Sequence, residues 1–201
     1  MKILLTAFEP FGGEELNSSL ETIRQIGEET GGARIVKVIL PTVFGRSLEV
    51  LHENLKKEKP DIVLCLGEAG GRSSVSIERI AINCMDARIP DNAGFQPVDI
   101  PVFADGPAAY FASLPVKKMA EAVSSAGIPA AVSNSAGTFV CNQVMYGLLY
   151  YIDHEFPDMA GGFMHLPWLK QQAEGKPQAP FLTLQQEVNS LKAAIEAIAG
   201  K

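Results

Sequence analysis

Cys141, His165 and Glu78 are the residues of this 201-residue chain whose types and surroundings could combine into one reaction centre. Cys141 follows the small-residue turn Ser135-Ala136-Gly137-Thr138. It opens a stretch in which Cys141, Val144, Met145, Leu148, Leu149 and Ile152 recur at helical spacing. A helix N-terminus carries free N–H groups and a partial positive charge, which favour a thiolate and could hold a developing oxyanion. The same position lies on the apolar stripe of its helix, where a cysteine more often serves as a small hydrophobe, so spacing alone leaves both roles open. His165 ends the apolar run Gly161-Gly162-Phe163-Met164. That is the carboxyl end of a candidate strand, where α/β proteins gather their ligands and a general base belongs; a surface or satisfied core histidine is the plainer reading. Glu78 sits among Ile77, Ile80 and Ile82. An acid there must be exposed, paired with Arg79, or turned toward a histidine ring nitrogen. Together the three residues could supply a nucleophile, a base that later protonates the leaving amine, and an acid that fixes the imidazole tautomer.

These side chains need a scaffold, and the sequence reads as one. Lys2–Ala7, Arg34–Leu40 and Asp61–Gly67 are apolar runs bounded by Pro or Gly, Ser74–Asn83 alternates, and Ala130–Asn134 and Gly161–His165 are further candidate strands. Between them lie helical patterns. Ser18-x-x-Glu21 reads as a capping box ahead of Leu20, Ile23 and Ile26. Leu48, Leu51 and Leu55 mark a second helix, and Val116, Met119, Ala120 and Val123 a third. The last helix is expected over about Leu184 to Ala199, capped by Thr183-x-x-Gln186. Alternating β and α elements with continuously apolar strands predict an α/β three-layer sandwich, a mostly parallel twisted sheet with helices on both faces. Cys84–Pro115 holds five of the thirteen prolines and cannot be one regular element. Loops of that length in compact domains are usually functional or disordered. Lys170–Pro180 is a second irregular stretch. With no repeat and no linker, residues 1–201 are expected to form a single domain.

Composition narrows the function. A net charge of −6 and a pI near 5.1 argue against a nucleic-acid or anionic-membrane surface. Three cysteines without short spacing make a disulfide framework unexpected and fit a reducing cytoplasm. The N-terminal run turns acidic too early for a signal peptide, and no apolar run approaches a bilayer-spanning length. Dinucleotide and P-loop fingerprints are absent, and Gly67-x-x-Gly70-Gly71 has the wrong spacing for either. His52, His154 and His165 are scattered, so no protein-built metal site is expected.

Three segments in order then carry a resemblance. Gly67–Asn83 (GEAGGRSSVSIERIAIN) resembles the acid-bearing signature of the pyroglutamyl peptidase I family, Ser135–Asn142 (SAGTFVCN) its nucleophile signature, and Gly162–Pro167 (GFMHLP) its histidine segment. The intervals, 63 residues from Glu78 to Cys141 and 24 from Cys141 to His165, agree, and the likeness extends from Phe8–Gly13 through Asp86–Asn92 to the last helix. The resemblance implies a cofactor-free cysteine exopeptidase that releases an N-terminal pyroglutamyl residue from peptides through a thioester. It implies Cys141 as nucleophile, His165 as base and acid, and Glu78 as the residue orienting His165. Phe8 and Phe11 match the aromatic residues that sandwich the lactam ring, Phe139 and Val140 match further pocket positions, and Arg88 matches an arginine near the oxyanion. Pyroglutamyl-capped peptides are the implied partners, with a homo-oligomer, dimer or tetramer, as the implied assembly. A mean hydropathy of +0.11 is compatible with a buried subunit interface. Two positions depart from the family pattern. Ala7 stands where Gly is frequent, adding a methyl beside the expected ring pocket, and Glu68 stands where many members have Gln. The alternatives are a cysteine amidohydrolase with altered acyl specificity, or a silent peptide-binding homologue.

Overall fold

The computed structural model describes residues 1–200. Its strands are β1 (Lys2–Phe8), β2 (Glu29–Thr30), β3 (Ala33–Leu40), β4 (Ile62–Glu68), β5 (Val75–Glu78), β6 (Ile80–Ile82), β7 (Ala109–Phe111), β8 (Ala130–Ser133), β9 (Ala160–Leu166), β10 (Trp168–Leu169) and β11 (Phe181–Leu182). The helices are α1 (Ser18–Arg24), α2 (Arg46–Glu58), α3 (Val116–Ser125), α4 (Val140–His154), α5 (Lys170–Ala173) and α6 (Leu184–Ile198). Seven strands form the central sheet in the order β2-β3-β1-β4-β9-β5-β8. Its middle strands β1, β4 and β9 are buried almost throughout, which is why they read as unbroken apolar runs and not as alternating ones. One face packs against α1, α3 and α6 through residues such as Ile23, Met119 and Leu191. The other packs against α2 and α4 through Leu51, Leu55, Val144 and Leu148. The fold is α/β with helices on both faces.

The sheet is parallel through β3, β1, β4 and β9, and β5 reverses direction against β9. Only residues 69–74 separate β4 from β5. That is too short for a crossover to a parallel neighbour, which takes a dozen residues or more. The expected strand Ser74–Asn83 is therefore two. β5 joins the sheet, while β6 leaves it and pairs with β7 in a separate ribbon. The first helix is capped by Asn17 and not by Ser18: Asn17 Oδ1 accepts the Ser19 N–H at 3.0 Å. The last helix has the expected box, with Thr183 Oγ1 accepting from Gln186 N and Gln186 Oε1 from Thr183 N. Within Lys170–Pro180 the chain forms the one-turn helix α5. Residues 84–115 are held in shape by side chains: Asp91 accepts the N–H groups of Phe44, Ala93 and Phe95.

Candidate active site

Cys141 is the second residue of α4. The turn before it is fastened from outside, because Thr138 Oγ1 donates to the Asp86 carbonyl and Asp86 N donates to Thr138 O. Asn142 fixes the first turn of the helix by accepting from Ile82 N and donating to the carbonyls of Ile82 and Cys84. The sulfur then hangs over β4 at Gly67, so close that a Cβ on that residue would stand 2.8 Å from Sγ. Gly67 pairs in register with His165 on the adjacent parallel strand, and register partners present their side chains to the same face. The sulfur and the imidazole therefore share one face of the sheet, one strand apart.

The reversed strand β5 supplies the acid. Ser76 pairs with His165 and Glu78 with Phe163, so Glu78 and His165 are diagonal neighbours across an antiparallel pair, a separation that long side chains bridge. Glu78 Oε1 lies 2.7 Å from His165 Nδ1. A carboxylate acceptor requires the proton on Nδ1 and leaves the Nε2 lone pair free to act as a base. Glu78 is wholly buried, and burial alone would raise its pKa. The hydrogen bond and charge of His165, with the Ser133 hydroxyl and Arg72, outweigh that and hold the carboxyl below its ordinary range. Of the three arrangements open to Glu78 in sequence, the contact made is the one with a histidine ring nitrogen; the cation beside the carboxylate is Arg72 and not Arg79, with Arg72 Nη1 donating to the same Oε1 at 2.8 Å.

Opposing influences act on the Cys141 thiol. The helix terminus favours a thiolate, but burial pushes the thiol up to about 12, with the charges of Glu78 and Glu68 acting in the same direction and only Arg72 opposing them. A sulfur held in that direction gives up its proton as it attacks.

A cavity of about 680 Å³ opens over these side chains and is lined by Cys141 and His165 together with Phe8, Phe11, Phe139, Arg88 and Glu68. Phe11 and Phe139 face each other with ring centroids 5.9 Å apart, and Phe8 backs onto Phe163 at 6.4 Å. Arg88 is exposed, and no salt bridge joins it to Asp86 or Asp91 among the described residues. Val140, expected at the pocket, does not line this cavity: its side chain is buried in the core, because neighbouring positions at the start of α4 point in different directions around the helix. Glu68 is buried as well, and its Oε2 accepts from Ser18 N at 2.7 Å and from Gln172 Nε2 at 2.8 Å. Burial raises its pKa against those two donors. Ala7 does not touch the cavity: its methyl points into the core beneath α1 and α6, because alternate residues of β1 face opposite sides and Phe8 takes the cavity side. Among the described residues no group of three His, Cys, Asp or Glu side chains is arranged to hold a metal ion.

Arg72 and Gly67 were not singled out in sequence. Both lie inside the Gly67–Asn83 segment that carries the resemblance, but neither has a role assigned by it there. A short loop joining two apolar strands, with a cation six residues before the acid, was the available signal.

A family model described as Pyroglutamyl peptidase matches residues 1–201. The pyrrolidone-carboxylate peptidase of Thermosipho africanus is 52% identical over 198 residues, covering 98% of this chain and 97% of that protein. Pyrrolidone-carboxylate peptidase 1 of Streptococcus pneumoniae is 51% identical over 198 residues, covering 98% of this chain and 92% of that protein. The crystal structure of pyroglutamyl peptidase I from Bacillus amyloliquefaciens superposes with a TM-score of 0.96 at 48% identity, covering 100% of this chain and 95% of that one.

Proposed function

The chain belongs to the pyroglutamyl peptidase family, and from that premise we propose that it releases the N-terminal pyroglutamyl residue of peptides with Cys141, His165 and Glu78 as its reaction centre. The observation that carries the assignment of roles is the buried Glu78–His165 pair at 2.7 Å beside a cysteine at a helix N-terminus. His165 Nε2 takes the Sγ proton as sulfur attacks the pyroglutamyl carbonyl carbon. Negative charge gathers on the carbonyl oxygen, where the Cys141 N–H and the Arg88 guanidinium are the assigned donors. Collapse of that intermediate breaks the C–N bond. The leaving amine takes the proton from His165, and the acyl group stays on sulfur as a thioester. Water, deprotonated by the same Nε2, then attacks the thioester carbon, and pyroglutamate leaves as the proton returns to sulfur.

Phe8, Phe11 and Phe139 are assigned to the lactam ring, a flat, uncharged and amphipathic group that aromatic faces suit. Glu68, committed to Ser18 and Gln172, helps shape the ring pocket without presenting a free charge to a neutral substrate. Binding that reads the lactam carbonyl rejects proline, which would leave a buried donor unpaired. The test is turnover of a pyroglutamyl amide beside its prolyl counterpart. A large preference for the former is expected, and comparable rates would contradict the assignment.

We further assign the chain to a reducing cytoplasm as a homo-oligomer. No helix among the described residues is long and apolar enough to cross a membrane, and the three cysteines are unpaired. The assembly is supported by Phe95, Val98 and Ile100, which stand exposed on one segment. Light scattering on the purified protein gives the oligomer number.

A further inference from the structure

We propose that Arg72 is a positioning residue for this reaction: its guanidinium holds the Glu78 carboxylate against His165 and ties it to the turn that leads into the nucleophile helix. The inference rests on the roles assigned above. Glu78 is fully buried, and its Oε2 has no hydrogen-bond partner. A carboxylate so placed stays ionised only if its other oxygen is strongly paired. Oε1 makes the two hydrogen bonds of this carboxylate, accepting from His165 Nδ1 at 2.7 Å and Arg72 Nη1 at 2.8 Å. Nη2 of the same guanidinium donates to the Ser135 carbonyl at 3.3 Å. One planar fork therefore joins the acid on β5 to the Ser135–Phe139 turn.

Arg72 is suited to this work because its side chain is 35% exposed, so water solvates its charge while the carboxylate it serves stays dry. The groups facing the centre come from several elements: Glu68 from β4, Ser133 from β8, His165 from β9 and Cys141 from α4. Asp86 and Arg88 line the same cavity from the long segment. Arg72 is the cation that acts on both Glu78 and the Cys141 sulfur. Arg79 does not share the task, and its backbone N–H is spent on the Ser133 carbonyl.

The sign of the effect on pH dependence follows. Removing the cation makes a thiolate at Cys141 harder to form. It also raises the carboxyl pKa. Activity needs the sulfur and the carboxyl deprotonated, so both changes move the acid limb of the rate profile upward.

The experiment measures kcat and KM for a pyroglutamyl amide from about pH 5 to pH 10 in the parent, Arg72→Gln and Arg72→Lys. For Arg72→Gln we expect kcat to fall on the order of tenfold to hundredfold, as loss of a partner that orients an imidazole generally gives, with KM nearly unchanged. Its acid limb should rise by about one pH unit. Arg72→Lys keeps the charge and not the fork, so its limb should stay near that of the parent while part of kcat is lost. Parent-like rates in Arg72→Gln, or loss of kcat in both variants with every limb in place, would overturn the inference and leave Arg72 a loop staple. If Arg72→Gln does not fold, Arg72→Lys decides, since a raised KM at parent kcat would equally overturn it. An inactive, well-folded parent would instead sink the functional assignment itself.

Discussion

Gly67 lies beneath Cys141 with no room between them for a single methyl group. A Cβ there would come within 2.8 Å of the sulfur and equally close to the Phe163 ring. The residue opposite His165 in the sheet thus contributes by having no side chain, which lets the thiol descend to the level of the imidazole.

Gly67→Ala should therefore move the sulfur, the Phe163 ring or both. Overpacking of this kind costs about 1–3 kcal/mol in stability. A shift of about 1 Å in a reacting atom can cost on the order of a hundredfold in rate. Activity is expected to fall much further than thermal stability. A variant with parent-like kcat/KM would contradict the placement of the sulfur.

Glu78→Gln keeps the shape of the acid and removes its charge. An amide can offer a donor to Nδ1 and so stabilise the tautomer with its proton on Nε2, where it is useless as a base. A loss in kcat on the order of hundredfold or more is expected, with KM little changed. Equal effects on kcat and KM would point to a collapsed pocket and count against an orienting role.

Cys141, with its thiol raised to about 12, should not behave as a preformed thiolate. Its alkylation by iodoacetamide, followed residue by residue by mass spectrometry, is expected to climb steadily with pH through the alkaline range. A plateau reached below pH ~8 would mean that a thiolate–imidazolium pair exists before substrate arrives.

Much of this architecture is legible in the amino-acid sequence. The α/β class and the Thr183 cap are carried by spacing and residue type, because helix periodicity and cap chemistry are local, whereas spacing only permits the three chemical residues and the resemblance singles them out. What stayed hidden depends on contacts between distant segments. Whether Glu78 faced Arg79 or Arg72 turned on the reversal of β5, which only the shortness of the loop after β4 foretold. Ala7 looked like a pocket residue because it adjoins Phe8, although adjacent strand residues point to opposite faces. The surroundings of the Cys141 thiol are only half legible: a helix terminus is visible in sequence, whereas burial and two carboxylates brought from β4 and β5 are not.

A second buried acid gives a prediction away from the site. Glu187 on α6 accepts from Thr22 Oγ1 at 2.8 Å, and its Oε1 has no partner. Burial, opposed by the Thr22 hydrogen bond and reinforced by the Glu68 charge, raises its pKa from 4.5 to about 8. The folded state therefore holds this proton more tightly than the unfolded chain. The resulting stability is fully present below about pH 4.5 and is lost as pH rises through about 8. The loss should be on the order of a few kcal/mol. Denaturant melts across this window should show a steeper decline for the parent than for Glu187→Gln. Parallel declines would mean that Glu187 is already ionised in the native state.

The central claim is that Cys141 carries the acyl group of a pyroglutamyl substrate. The most direct measurement incubates reduced parent protein and Cys141→Ala with a pyroglutamyl fluorogenic amide. It follows release of the fluorophore while intact-mass spectrometry watches for the acyl adduct. The account predicts turnover by the parent with a transient pyroglutamyl adduct on the Cys141 peptide, and neither turnover nor adduct in the variant. Turnover by Cys141→Ala at the parent rate, or an adduct on Cys65 or Cys84 instead, would contradict it.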